Sequence, residues 1–394
     1  MKPTPRFLVA SLSLAALLLA MAWPVPVSAC PYCEPTLTIT EQFAKADVAV
    51  LVKWVSAEMP TKEKLGSTTY EIVDVARAFG KTTEKGKKIT LERYRQGKPG
   101  DLSMVFGSKF RGDSIDWGAP LDISDAGFKF LVEAPKFEEK PDVRLKYYLK
   151  FLENSDAMIA ADAFGEFANA AYKDVVPLAK DFPRDSLRKW VNDPKTLATR
   201  INLYGLMLGL CGDDEDAKMM EAKIVEETTD FRLGIDGLMG GFLVLTGERG
   251  LEVLEKSKII NKKVPFSETY SAMTALRFMW TYGNGKIPGD RLKQSMRLLL
   301  DRPEVSDLVI ADLARWKDWS VQDKLRGLYG AEEYNIPSIK RAIVRYMISS
   351  TKDVPEGGGE APAKHVVDGK RHLEELRKLD PKTVTEAEKY FFLQ

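Results

Sequence analysis

The sequence predicts an α+β protein of several domains, a small β-rich head that closes into a barrel followed by a helical body. Three observations carry that expectation. Residues 34–135 contain runs rich in Val, Ile, Thr and aromatic residues, cut by Gly and Pro. From Pro141 the apolar residues recur at helical spacing instead. The first 33 residues read as an export segment followed by two cysteines, so the folded part starts after them.

Residues 1–29 have the layout of a signal peptide. Lys2 and Arg6 form a short cationic stretch, and Phe7 to Trp23 is an uncharged apolar run. Pro24 and Pro26 break that run, and Val27-Ser28-Ala29 offers small residues to a peptidase. The mature chain is therefore expected in the periplasm or cell envelope. The 394 residues hold 58 Lys+Arg against 57 Asp+Glu; without Lys2 and Arg6 the balance is 56 against 57, a net of −1. So neutral a chain gives no electrostatic case for a nucleic-acid partner. No later apolar run approaches the ~20 residues of a membrane helix, and the body is expected to be soluble.

In the head, Asp47 to Ala57, Ser67 to Phe79, Lys88 to Tyr94, Leu102 to Phe106 and Gly127 to Glu133 read as strands. Thr36 to Ala46 reads as a short helix. Five strands without helices long enough for parallel crossovers favour a small closed or half-closed barrel. In the body, Leu145, Tyr148, Leu149 and Leu152 share a helical face, as do Leu203, Leu206, Met207 and Leu210. Met273, Leu276 and Trp280 form another, and Val305, Leu308, Val309 and Trp316 a fourth. Asp156, Asp213 and Ser267 stand at N-cap positions, and Pro303 suits a first helical turn. About a dozen helices on short connections predict antiparallel pairs stacked side by side. Gly234, Gly237 and Gly241 would let a neighbouring helix come close, and the apolar Leu238 to Leu245 belongs in the middle of the stack. The expected boundaries are 30–136 for the head, 142–350 for the body, 351–364 for a flexible linker and 365–394 for a helical tail with an aromatic end, Tyr390 to Phe392.

The stretch 155–168, SDAMIAADAFGEFA, resembles the capped turn and inner helix of a HEAT-type repeat. Cysteines at the processed N-terminus followed by the strand ADVAVLVKWV, 46–55, resemble the netrin-like, or tissue-inhibitor-of-metalloproteinase-like, variant of the OB barrel. The start departs from that family, with Cys-Pro-Tyr-Cys in place of Cys-x-Cys and no further barrel cysteines. Together the resemblances point to exported bacterial HEAT-repeat-like proteins and imply a binding or scaffolding role. The inhibitor-like start implies metal chelation through the amine of Cys30, hence a metalloprotease-inhibitor-like binder as one alternative.

Cys30 and Cys33 are the candidates for lipidation or a disulfide. Val27-Ser28-Ala29-Cys30 approximates a lipobox, which would anchor Cys30 in a membrane, and equally suits ordinary cleavage after Ala29. Cys30-Pro31-Tyr32-Cys33 matches a glutaredoxin-type dithiol letter for letter, which makes a thiol–disulfide redox module the other alternative. No strand precedes it in the mature chain, so the helix-terminal thiolate that such chemistry needs is not foreseen. Cys211, in LYGLMLGLC, is expected as a buried thiol. The two histidines, His365 and His372, both near the C-terminus, weigh against His-based catalysis and His-ligated metals.

Other motifs dissolve on inspection. Gly112-Asp113-Ser114-Ile115 resembles an esterase nucleophile block but lacks a correctly spaced Asp-x-x-His. Gly80 to Lys88 mimics a phosphate loop with wrong spacing. The basic run Lys81 to Lys98 sits in residues 34–135, which hold fifteen basic and fifteen acidic residues, so it reads as a solvated hairpin. Asp162 and Glu166 lie one turn apart, and one of the two is expected to bond the next loop while the other meets water. Asp213 to Asp216 lacks calcium-loop spacing and suits a helix start. The densest aromatic-plus-charge group is Asp312, Arg315, Trp316 and Trp319. These four are the candidate partner surface, with Arg315 and Trp319 as exposed anchors. The expectation is a non-catalytic exported interaction protein with a protein partner, no catalytic residues, no metal and no cofactor.

Overall fold

The computed structural model describes residues 32–33, 35–112, 114–353 and 362–389. The expected signal peptide, Cys30, most of the linker and the aromatic end lie outside the described residues. The fold is α+β, an N-terminal antiparallel sheet followed by a helical region.

The head begins with α1 (Ile39–Lys45), capped by Thr38, whose hydroxyl accepts the Glu41 N–H at 2.9 Å. The sheet comprises β1 (Val48–Glu58), β2 (Ser67–Arg77), β3 (Lys88–Leu91), β4 (Leu102–Lys109), β5 (Ile115–Trp117) and β6 (Leu121–Asp122). Its order is β3-β2-β1-β4-β5, with β6 also on β4. The expected barrel does not form. Among the described residues no ladder joins β3 to β5, so the sheet is open. Gly127 to Glu133, expected as the fifth strand, is instead part of helix α2 (Asp125–Glu133). Ser124 caps it by accepting the Gly127 N–H at 2.9 Å, and Gly127, Phe128 and Leu131 are buried at helical spacing. The two strands that remain, β5 and β6, have 3 and 2 residues, too short to close a barrel.

Both sheet faces are covered. Val48, Val50 and Val52 of β1 pack with Tyr70, Ile72 and Val105 in a core of the head's own. The alternate residues Ala49 and Leu51, with Met104, join one continuous core with the helices. The head is thus fused to the body through buried apolar surface.

The body starts with α3 (Pro141–Leu149), α4 (Ala157–Asn169), α5 (Tyr172–Val175), α6 (Arg184–Asn192), α7 (Ala198–Cys211) and α8 (Asp214–Val225). Next come α9 (Ile235–Thr246), α10 (Glu248–Leu254), α11 (Phe266–Tyr282), α12 (Gly289–Leu298) and α13 (Ser306–Arg315). α14 (Gln322–Leu328), α15 (Pro337–Lys352), α16 (Lys364–Leu379) and α17 (Pro381–Lys389) complete the described chain. Asp156 caps α4, and Asp213 forms a reciprocal capping box with Asp216 on α8. Ser267 is not a cap; α11 begins one residue earlier, behind Pro265. Alternate helices pack on each other, α7 on α9, α9 on α11 and α13 on α15, and α15 carries both tail helices. At the α7–α9 crossing, a Cβ on Gly241 would stand 2.0 Å from the Gly205 carbonyl oxygen. Only glycine permits that backbone approach. Two arginines, half-buried Arg232 and buried Arg302, tie helix ends to later elements. Arg232 donates to the carbonyls of Lys223 and Ile224, and Arg302 to those of Ile259, Asn261 and Val264.

Candidate docking groove on α11 and α13

Two arginines and two tryptophans from neighbouring helices meet on the surface of the body. The indoles of Trp280 and Trp316 stack 4.4 Å apart at 11°. Trp316 is buried at 6% exposure, whereas Trp280 is 36% exposed. Beside them Asp312, 2% exposed, accepts from Arg277 Nε at 2.6 Å and from Arg315 Nη1 at 3.0 Å. The groove has a volume of about 540 Å³ and includes Thr281, Leu308 and Ala311 in its lining. Lys293 places its ammonium 5.8 Å from the Trp280 ring.

The arrangement follows from helix geometry. Arg277 and Trp280 are three residues apart on α11, and Asp312 and Arg315 three apart on α13, so each pair shares a face. Leu276, Met273, Val309 and Leu313, all buried, turn those helices so that the polar faces look outward together. Asp312 spends both oxygens on guanidinium groups. Both Nη groups of Arg277, with Nε and Nη2 of Arg315, meet no acceptor among the described residues. The groove therefore presents forked cationic donors, held in place by a buried carboxylate, beside a flat apolar wall. Such a surface recognises a carboxylate next to an apolar or aromatic side chain.

The four residues singled out in the sequence divide. Asp312, Arg315 and Trp316 come together in the groove. Trp319 does not; half-buried, it donates its indole N–H to Asp353 at 2.6 Å and stacks on His365 at 5.9 Å. Its expected role as an exposed anchor gives way to that of a rivet between α15 and α16. Arg277 and Trp280 were missed. A signal exists, because arginine–carboxylate pairs recur at nearly constant separation, 35 residues for Arg277–Asp312 and 36 for both Arg232–Glu268 and Arg291–Glu255.

The other candidates are built into the fold. Asp162 accepts from the Ile39 N–H at 2.5 Å and the Thr40 hydroxyl at 2.5 Å. Glu166 accepts from the Thr38 hydroxyl at 2.6 Å and pairs with Arg144. Both are buried, so neither is the water-facing carboxylate expected of the pair; together they fasten residues 38–40 to α4. Burial pushes both carboxyls above the usual range, more than their hydrogen bonds lower them. Tyr32, immediately before Cys33, is 9% exposed. Its carbonyl accepts from Asn202 Nδ2 at 2.5 Å, its ring lies 5.0 Å from Phe278, and Gly240 leaves room for its hydroxyl end. Cys33 is half-buried against the main core. Cys211 is also half-buried, its thiol pushed up to about 11 by burial and then by Asp216. Among the described residues no cluster of three or more His, Cys, Asp or Glu could hold a metal ion, and no helix is long and apolar enough to cross a membrane.

Comparisons with protein-family models, with curated proteins and with solved structures find no match for this chain.

Proposed function

We propose that the protein is a non-catalytic interaction or scaffold protein, exported to the cell envelope, that docks a partner protein in the α11–α13 groove. The partner presents a carboxylate beside an aromatic or apolar side chain. The observation that supports this reading best is the Arg277–Asp312–Arg315 triad beside the Trp280–Trp316 stack. It orders two guanidinium groups before any ligand arrives, which lowers the entropy cost of binding. We read the stacked helices as a HEAT-type array, an architecture that displays such grooves along its length. Export rests on the N-terminal sequence. Whether Cys30 is lipidated or released is a property of the same segment, and Tyr32 would hold either N-terminus against the body.

A photo-crosslinking residue placed at Thr281, an exposed position in the groove lining outside the triad, in the protein expressed with its own leader, tests both parts. The expected result is a discrete adduct at position 281 in the envelope fraction and none from the same probe at exposed Lys370. Retention in the cytoplasm would overturn export. Equal labelling, or none, at the two positions would overturn the docking site.

A further inference from the structure

We propose that the cleft beside the π-helical turn Glu255–Ile259, which continues α10, is a second binding site, one for a phosphate-type oxyanion. The wider turn lets Lys258 and its neighbour Ile259 both face inward, at 2% and 0% exposure. Such turns are rare and are retained mostly at functional sites. The Lys258 ammonium lies 2.8 Å from Glu268 and 3.5 Å from the Glu226 carbonyl oxygen. Glu268 is already held by both Nε and Nη2 of Arg232, at 2.9 and 2.5 Å. One buried carboxylate thus serves two cations, the buried Lys258 and the half-buried Arg232, and the cluster keeps a net positive charge.

That surplus lies under an open cleft of about 740 Å³, lined by Lys258, Lys263, Asn261, Thr229 and Ser257 among others. The third N–H of Lys258, the Lys263 ammonium and the Thr229 hydroxyl meet no acceptor among the described residues. Asn261 accepts the Lys263 backbone N–H at 3.0 Å through Oδ1, which leaves its NH₂ as a donor. Glu227 is the one acid in the lining. Two helix ends, of α8 and of the π turn, also point here, and their carbonyls would repel an anion. Each is partly occupied: Arg232 takes the carbonyls of Lys223 and Ile224, and Arg302, 4% exposed, that of Ile259 with those of Asn261 and Val264 just beyond it. Apart from the exposed Glu227 carboxylate, the side-chain groups left to be satisfied in the cleft are chiefly donors, the complement of a phosphate.

Calorimetric titration of the full chain with sodium phosphate, against chloride at matched ionic strength, tests the site. The expected result is saturable one-site binding, weakened about tenfold by Lys263→Ala and abolished by Lys258→Met. Lys258→Met leaves Arg232 on Glu268, and a thermal melt checks its folding; exposed Lys263 tests the site independently of that outcome. A second arm measures co-sedimentation with phosphatidylglycerol vesicles against phosphatidylcholine vesicles. Phosphate binding without vesicle binding identifies a soluble phosphate ligand. Phosphatidylglycerol binding lost in Lys263→Ala identifies a lipid headgroup. No saturable binding in either arm, or binding indifferent to both substitutions, overturns the proposal.

Discussion

Asp162 on α4 and Asp312 on α13 are similarly buried, at 4% and 2% exposure, yet they answer to different partners. Asp162 is covered by the chain's own N-terminal segment, whose Ile39 and Thr40 donors consume its oxygens. Asp312 is covered by Arg277 and the 72%-exposed side chain of Arg315, which satisfy it while keeping donors to spare. The first cluster is closed and holds the fold together. The second is open and able to bind. Burial of a carboxylate does not distinguish the two; the unspent hydrogen-bonding capacity of its partners does.

The sharpest way to break that contrast is to remove each carboxylate. Asp162→Ala strands two backbone N–H groups and a hydroxyl in a buried junction. Its expected cost is about 3 kcal/mol in chemical denaturation. Asp312→Ala frees two arginines that can reach water, so the expected cost is about 1 kcal/mol, with loss of partner binding.

Acidity sharpens the comparison further. Burial holds the Asp162 carboxyl above its ordinary value, so the native state binds that proton more tightly than the unfolded chain. Its contribution to stability rises as pH falls from above the raised value toward 3.8. Asp318 is the opposite case. Burial would raise it, but the bidentate Arg297 at 2.6 and 2.9 Å and the bonds from Ser320 bring it below its ordinary value. Its contribution is complete above the ordinary value and disappears as pH falls through the depressed one. On acidification Asp162→Asn should therefore lose ground to wild type, while Asp318→Asn gains ground, read as differences in denaturation midpoint. The smallest expected effect on folding is that of Arg315→Ala, within about 0.5 kcal/mol of wild type because the side chain is exposed.

Much of this was legible from residue patterns. β1 and β2 follow from β-branched runs bounded by turns, β4 from a short apolar run, and the helical body from the period that sets in at Pro141. Gly127 to Glu133 misled because a short apolar run fits a strand or a helix equally well, and the cap at Ser124 decides it. Losing that strand also lost the barrel. Half of the groove was visible, since Asp312, Arg315 and Trp316 lie on one helix and its end. Arg277 and Trp280 reach it from another helix, through a tertiary contact that helical periodicity does not reveal; only the recurring arginine–carboxylate separation of 35 to 36 residues marks it. Trp319 went astray for the same reason, because its partner Asp353 lies 34 residues away. The seating of Tyr32 among α7, α9 and Phe278 left no mark in local sequence at all.

The most direct measurement is a tryptophan-fluorescence titration of the full chain with an acidic peptide carrying one aromatic residue, beside a basic peptide of equal length. The acidic peptide should perturb the Trp280–Trp316 emission saturably, Arg315→Ala should weaken it about tenfold at unchanged melting temperature, and the basic peptide should give no response. Equal responses to both peptides, or acidic-peptide binding untouched by Arg315→Ala, would contradict a docking groove built on the Arg277–Asp312–Arg315 triad.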